Sequence, residues 1–221
     1  MKMADTKVVS LEEAMSHIHD GQRIMVGGFA GTGNPMVLIR GIVDKGVKNL
    51  TLICNDTGID MSNVGALILT KSIKKAIVSH IGKNAETCRQ FAAGEIEVEF
   101  VPQGTLVERI RAGGFGLGGV ITPTGVGTKI EAGKQRITID GKDYLIELPI
   151  KADVAVIRAK KADKLGNLVY HGTNVAHTLM MATAADITIV QAEEIVEVGE
   201  LEPDEIVTPF IFVDYVVQGE N

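Results

Sequence analysis

The sequence has no tryptophan and only two cysteines in 221 residues. Cys54 and Cys88 lie far apart and form no CxxC pair, so neither a disulfide framework nor a zinc site is indicated, and both read as buried structural thiols. An excess of positive charge is also missing. The 22 Lys and Arg are scattered and outnumbered by 28 Asp and Glu, a formal net charge of -6, which provides no basic stripe to neutralise a phosphate backbone. Nucleic acid is therefore not an expected partner. No charged start leads into an apolar signal region, and no run approaches the ~18 apolar residues that span a bilayer. A cytoplasmic chain with no membrane partner is expected. Metal-ligand spacing is absent among the five histidines: His17 and His19, two apart on an expected helix, point to different faces, and His171 and His177 are six apart. No metal is expected. Without a repeat, a low-complexity tract or a Ser/Pro-rich linker, and with 45% apolar residues, the chain reads as one domain over residues 1–221.

What is present is an alternation of helix and strand patterns. Ser10 and Glu13 form a capping box opening "LEEAMSHIH", and "RIMVGGF" is a β-rich run stopped by glycine. Asn34 and Pro35 suit the N-cap and first position of a helix, "PMVLIRGIVDKG", which Gly46 stops, and "LTLICN" reads as a buried strand. The pattern continues through "LILTK", "KKAIVSH", "AETCRQFAAG", "VEFVP" and "TLVERIRAGG". This is an α/β chain with a mainly parallel sheet covered by helices. After residue 120 the texture becomes β-rich. "RITIDGKDYLIEL" is a hairpin turning at Asp140 and Gly141, followed by "DVAVIRA", "DITIVQAEE" and "PFIFVDYVV", which together suggest a smaller layer on the same sheet.

The most unusual stretch is "IMVGGFAGTGNP", residues 24–35, with four glycines among residues 27–33. A strand, a glycine loop and a helix start would offer backbone N–H groups and a positive helix end to an anion, and missing Cβ atoms would let a bulky ligand touch the backbone. It is not a Walker A loop. Gly28 and Gly33 have the spacing, but Asn34 and Pro35 stand where Lys and Ser/Thr would be needed. Gly114, Gly116 and Gly119 match GxGxxG, yet they follow a helical segment and lead to "VITPTG" instead of opening a helix.

Asp20, Gly21, "IMV", Gly27, Gly28, Phe29, Gly33 and Pro35 together resemble the signature of the alpha (A) subunit of the family I 3-oxoacid CoA-transferases. The similarity extends, in the same order, to "PQGTLVERIRAGG" at 102–114, "TPTGVGT" at 122–128 and "ADVAVIRA" at 152–159, and is nearest the short bacterial subunits acting with acetate, butyrate or acetoacetate. It implies the open sheet shared with sugar-phosphate isomerases. It also implies a reaction in which a glutamate attacks an acyl-CoA thioester, forming an acyl-glutamyl anhydride and then a glutamyl-CoA thioester. That glutamate belongs to the beta (B) subunit, in a Ser-Glu-Asn-Gly type motif missing here, so the resemblance implies half an enzyme in an alpha2beta2 heterotetramer. Glu193 and Glu194, in "QAEEI" at 191–195, read as an ordinary strand end.

By the same resemblance Gln103 would donate to the oxygen on which charge develops, and coenzyme A would lie along Gly27, Gly28, Phe29, Ala30, Gly31, Thr32 and Gly33. Asn55 would help hold the substrate. Cys54 and Asp56 replace the Ser and second Asn of a related Ser-Asn-Asn run, and Asp56 would repel a second carboxylate if ionised. From residues alone, Asn55 and Asp56 also suit an Asx turn ending a strand. "VYHGTNVAHT" at 169–178 departs from the Arg-Asn-Phe-Asn run common in relatives, and His171 and His177 read as core or surface residues, since this chemistry requires no proton transfer. Two other classes remain open: a sugar-phosphate isomerase on the same fold, and a non-catalytic module sensing acyl-CoA or sugar phosphate.

Overall fold

The computed structural model describes residues 6–59 and 61–219. The first half runs α1 (Leu11–Ser16), β1 (Arg23–Val26), α2 (Met36–Lys45), β2 (Leu50–Ile53), α3 (Gly65–Leu69), β3 (Ile73–Val78), α4 (Ala85–Ala92), β4 (Glu97–Phe100) and α5 (Gln103–Gly114). Then follow β5 (Val120–Thr122), β6 (Arg136–Ile139), β7 (Lys142–Glu147), β8 (Ala152–Asp163), β9 (Leu168–Val169), α6 (Thr178–Thr183), β10 (Ala185–Val196) and β11 (Tyr215–Gln218). Local chemistry sets several boundaries. Ser10 Oγ accepts from the Glu13 N–H at 3.1 Å to start α1, and Asn84 Oδ1 accepts from Thr87 N–H at 2.9 Å to start α4. Gly46 ends α2 at φ 73°, and Asp140 and Gly141, at φ 49° and 74°, form the tight turn between β6 and β7.

Seven strands lie in the order β11-β10-β8-β1-β2-β3-β4, with every neighbouring pair parallel, and β9 adds to β8 antiparallel. Helices α1 to α4 cover one face and α5 and α6 the other. One core joins Ile24, Val26, Leu52, Val154 and Val156 to Leu38, Ile39 and Leu67, while the other joins Met25, Ile53, Ala155 and Ile157 to Leu106, Ile110 and Met181. Because side chains alternate across a strand, a central parallel strand must be apolar on both sides, as "VAVI" at 154–157 is. Each fully buried Leu or Ile contributes about 1.5–3 kcal/mol.

The second half differs from the expected layering. Strands β8, β10 and β11 are the other half of the main sheet, and the smaller layer is confined to the antiparallel sheet β5-β7-β6. That small sheet is tied down by Glu147, which is 1% exposed, accepts from Lys134 Nζ at 2.5 Å and lies 3.8 Å from Arg109. In "PFIFVDYVV", residues 210–212 form a 3-10 turn behind Pro209 and pairing starts only at Tyr215. Lys7 Nζ fixes that turn, donating to the Phe210 and Val213 carbonyls at 2.6 Å each.

Parallel pairing places the carboxyl ends of β1, β2, β3 and β4 along one edge. Four segments expected to matter separately, or not noticed at all, therefore assemble there: residues 27–33, 55–56, 79–80 and Gln103.

Candidate active site

The loop after β1 folds tightly on itself. Gly27 N–H continues the sheet by donating to the Val156 carbonyl at 2.9 Å. Phe29 and Thr32 then exchange both backbone hydrogen bonds, at 2.9 and 3.0 Å, around Ala30 and Gly31, whose φ values of 51° and 86° make the two-residue turn. Ala30 N–H is shared between Asn55 Oδ1 and Asp56 Oδ2 at 3.1 Å each.

One expectation, the Asn34 cap, is corrected by this geometry. The N–H groups of Phe29, Ala30 and Thr32 are engaged within the protein, while those of Gly28, Gly31 and Gly33 have no hydrogen bond among the described residues. A two-residue reversal this tight needs those bonds itself. Asn34 does not cap α2: its Nδ2 donates back to the Gly27 carbonyl at 2.7 Å, Pro35 takes the cap position, and Val37 N–H donates to Gln191 Oε1 of β10 at 2.8 Å. The loop's glycines serve its own close packing. At Gly28, with φ 111°, a Cβ would overlap Asn34 Nδ2 and lie 2.9 Å from the Thr32 carbonyl. At Gly31 a Cβ would lie 3.7 Å from Asn63 Nδ2, an ordinary van der Waals contact.

The loop forms one wall of an open cleft of about 510 Å³, with Phe29, Ala30 and Thr32 facing Thr173, Val175 and Ala176. Phe29 keeps 46% of its surface exposed there. Strand β1 lies between β8 and β2, so the cleft sits where the strand order reverses, the usual ligand position in an open α/β sheet. The 169–178 segment, which departs from the resembling pattern, thus supplies the second wall.

Beside the cleft, Asn55 and Gln103 meet. Gln103 is the first residue of α5 and not a strand end, since β4 stops at Phe100 and Pro102 caps the helix. Its Oε1 accepts from Asn55 Nδ2 at 2.7 Å, and its Nε2 has no hydrogen bond among the described residues. The first turn of α5 also adds positive potential, as Pro102 offers no side-chain cap. Asn55 is 3% exposed. Ser79, just past β3, accepts from Asn55 Nδ2 at 3.2 Å, donates through Oγ to the Asn55 carbonyl at 2.7 Å and lies 3.2 Å from His80 Nδ1. Sequence reading missed Ser79. A polar residue within two positions of the end of a buried strand, as Asn55 is after β2, was the available signal.

Asp56 is 6% exposed and forms the expected Asx turn, its Oδ1 accepting from Gly58 N–H at 2.8 Å while Oδ2 holds the glycine loop. Cys54 is buried, its thiol donating to the Asp56 carbonyl at 2.9 Å, and burial pushes its pKa up. Cys88 is only half-buried. His171 is exposed, whereas His177 is 3% exposed and burial pushes its imidazole pKa down.

The two glutamates of "QAEEI" are paired. Glu193 accepts from Lys160 at 2.7 Å and Arg158 at 2.8 Å, the Lys160 bond being the main cause that holds its carboxyl below the ordinary range, and Glu194 pairs with Lys161 at 3.3 Å. Strand β10 is three strand spacings from β2, roughly 14 Å, so neither glutamate shares the Asn55 and Gln103 site. No group of three His, Cys, Asp or Glu suited to a metal ion occurs among the described residues, and none of their helices is long and apolar enough to cross a membrane.

Comparison with known proteins agrees with this architecture. The family model described as "Coenzyme A transferase" matches residues 8–219. The chain is 50% identical to the acetate CoA-transferase subunit alpha of Escherichia coli (strain K12), covering 98% of both chains. It is 46% identical to the acetoacetyl-CoA:acetate/butyrate CoA transferase alpha subunit of Clostridium acetobutylicum, over 97% of this chain and 98% of that one. Among solved structures, the glutaconate coenzyme A-transferase of Acidaminococcus fermentans superposes with a TM-score of 0.87 at 22% identity, over 97% of this chain and 76% of the other. An acyl-CoA transferase of E. coli O157:H7, solved as a thioester complex with CoA, gives a TM-score of 0.86 at 24% identity. The present chain spans 47% of that protein's length.

Proposed function

We infer that this chain, which belongs to the coenzyme A transferase family, is the half of a short-chain acyl-CoA:carboxylate CoA-transferase that binds and polarises the thioester while a partner supplies the nucleophile. The supporting observation is the convergence of Gln103, Asn55 and the glycine loop at one edge of the sheet, beside an open cleft. In this reading coenzyme A lies along Gly27–Gly33 in the cleft. A glutamate of a beta subunit attacks the thioester carbonyl, and the charge that develops on its oxygen meets Gln103 Nε2. One such donor in a water-poor site is commonly worth about 3 kcal/mol of transition-state stabilisation.

Butyryl-CoA or acetyl-CoA as donor, with acetoacetate or acetate as acceptor, fits the named relatives, and two chains of each kind would form the assembly. The Glu193 and Glu194 ion pairs favour a nucleophile from outside the chain. Against the isomerase and sugar-phosphate sensor readings stand the matched family and the relatives named above, which are CoA-transferase subunits. The test is CoA transfer from butyryl-CoA to acetoacetate by the chain with and without its co-purifying partner, in wild type and in Gln103→Ala.

A further inference from the structure

An amide side chain can present either its oxygen or its nitrogen, and only one end of Gln103 suits a developing oxyanion. The surroundings of Asn55 decide which. Ala30 N–H can only donate, so the atom of Asn55 facing it at 3.1 Å must be the oxygen. Ser79 Oγ gives its single proton to the Asn55 carbonyl at 2.7 Å, so toward the Asn55 side chain it can only accept, which calls for Nδ2 at 3.2 Å. With both ends of Asn55 assigned, the atom it offers Gln103 at 2.7 Å is a donor, and Gln103 must answer with Oε1. Its Nε2 then points away from Asn55 with both protons unengaged. A backbone N–H of the glycine loop thus dictates, through one buried amide, which end of the Gln103 amide is left free.

We propose that Asn55 is a positioning residue that fixes the amide orientation of Gln103, with Ser79 as its second anchor, and is not a substrate ligand. Its 3% exposure and the engagement of Oδ1 and both Nδ2 protons leave it nothing to give a substrate. The inference rests on the reading of Gln103 as the oxyanion donor. In that reading, Asn55→Asp keeps the shape and the acceptor facing Ala30 but puts an acceptor against Gln103, which turns its amide over and leaves Oε1 as the free end.

The experiment is a double-mutant cycle on the complex with the native partner: wild type, Asn55→Asp, Gln103→Ala and the double variant, each assayed for kcat and KM with butyryl-CoA and acetoacetate. Asn55→Asp is expected to lower kcat about 100-fold with KM within about two-fold, and to have less than about a two-fold effect in the Gln103→Ala background. A raised KM at unchanged kcat, or an equal loss in both backgrounds, overturns the proposal. Wild-type turnover by Gln103→Ala removes the reading beneath it as well. Should Asn55→Asp fail to fold, Ser79→Ala takes its place: a smaller kcat loss that vanishes without Gln103 supports the proposal, and a loss that persists contradicts it.

Discussion

Asn34 Nδ2 occupies the space where a side chain on Gly28 would begin, and from there it donates to the Gly27 carbonyl at 2.7 Å. The glycine and the asparagine are parts of one latch that closes the base of the loop. Gly28→Ala therefore has to displace a buried hydrogen bond and hold a non-glycine residue at φ 111°, a combined penalty of about 3 kcal/mol. At Gly31, where a Cβ would meet only Asn63 at ordinary contact distance, Gly31→Ala should lose only about 1 kcal/mol, from its left-handed backbone. Urea denaturation of the two variants reads the difference. Equal stabilities would show that the latch does not hold the loop.

Gln103 is partly exposed and begins a helix, so truncating it leaves no core cavity. Gln103→Ala should keep the wild-type melting temperature within a few degrees and lower kcat by roughly 100- to 1,000-fold, with little change in KM for acyl-CoA. Steady-state kinetics of the assembled enzyme check this. A rise in KM alone would make Gln103 a ground-state binding residue.

Glu193 is a contrast, because its carboxylate is stabilised by Lys160 and Arg158 away from the site. A carboxyl held below its usual range contributes stability that is complete above the ordinary glutamate value of 4.5 and lost as pH falls through the depressed one. Glu193→Gln should therefore destabilise the protein by about 1 kcal/mol at pH 7, with the gap to wild type closing below pH 4.5, and leave kcat at pH 7 unchanged. Unfolding free energies measured at pH 7 and pH 3.5, together with one kinetic assay, suffice. A collapse of turnover in this variant would return Glu193 to the list of nucleophiles.

Features set by short-range chemistry were legible in the sequence. Ser10 caps α1, Gly46 ends α2 in the left-handed region, and Asp140 with Gly141 turns the hairpin, each through bonds or backbone angles spanning a few residues. The alternation of patterns also gave the covered parallel sheet. What was not legible depends on strand order. Asn55 and Gln103 are 48 positions apart and touch only because β2, β3 and β4 lie side by side, and nothing local shows that β8 joins β1 instead of the small sheet. Asn34 does not cap because the helix starts one residue later, with Pro35 at the cap position, and its side chain turns back into the loop. Its Nδ2 meets the Gly27 carbonyl, which the tight loop brings back and local sequence does not show.

The central claim is that this chain polarises a thioester but carries no nucleophile of its own. The most direct measurement mixes the purified chain, alone or with the subunit that co-purifies with it, with butyryl-CoA, acetoacetate being added where turnover is read. Borohydride reduction after mixing and peptide mass mapping then locate any glutamate converted to the alcohol, the mark of a glutamyl thioester. No turnover and no modified residue are expected in the chain alone, and a single modified glutamate, on the partner, in the complex. A modified carboxylate within residues 1–221, or turnover by the chain alone, would contradict it.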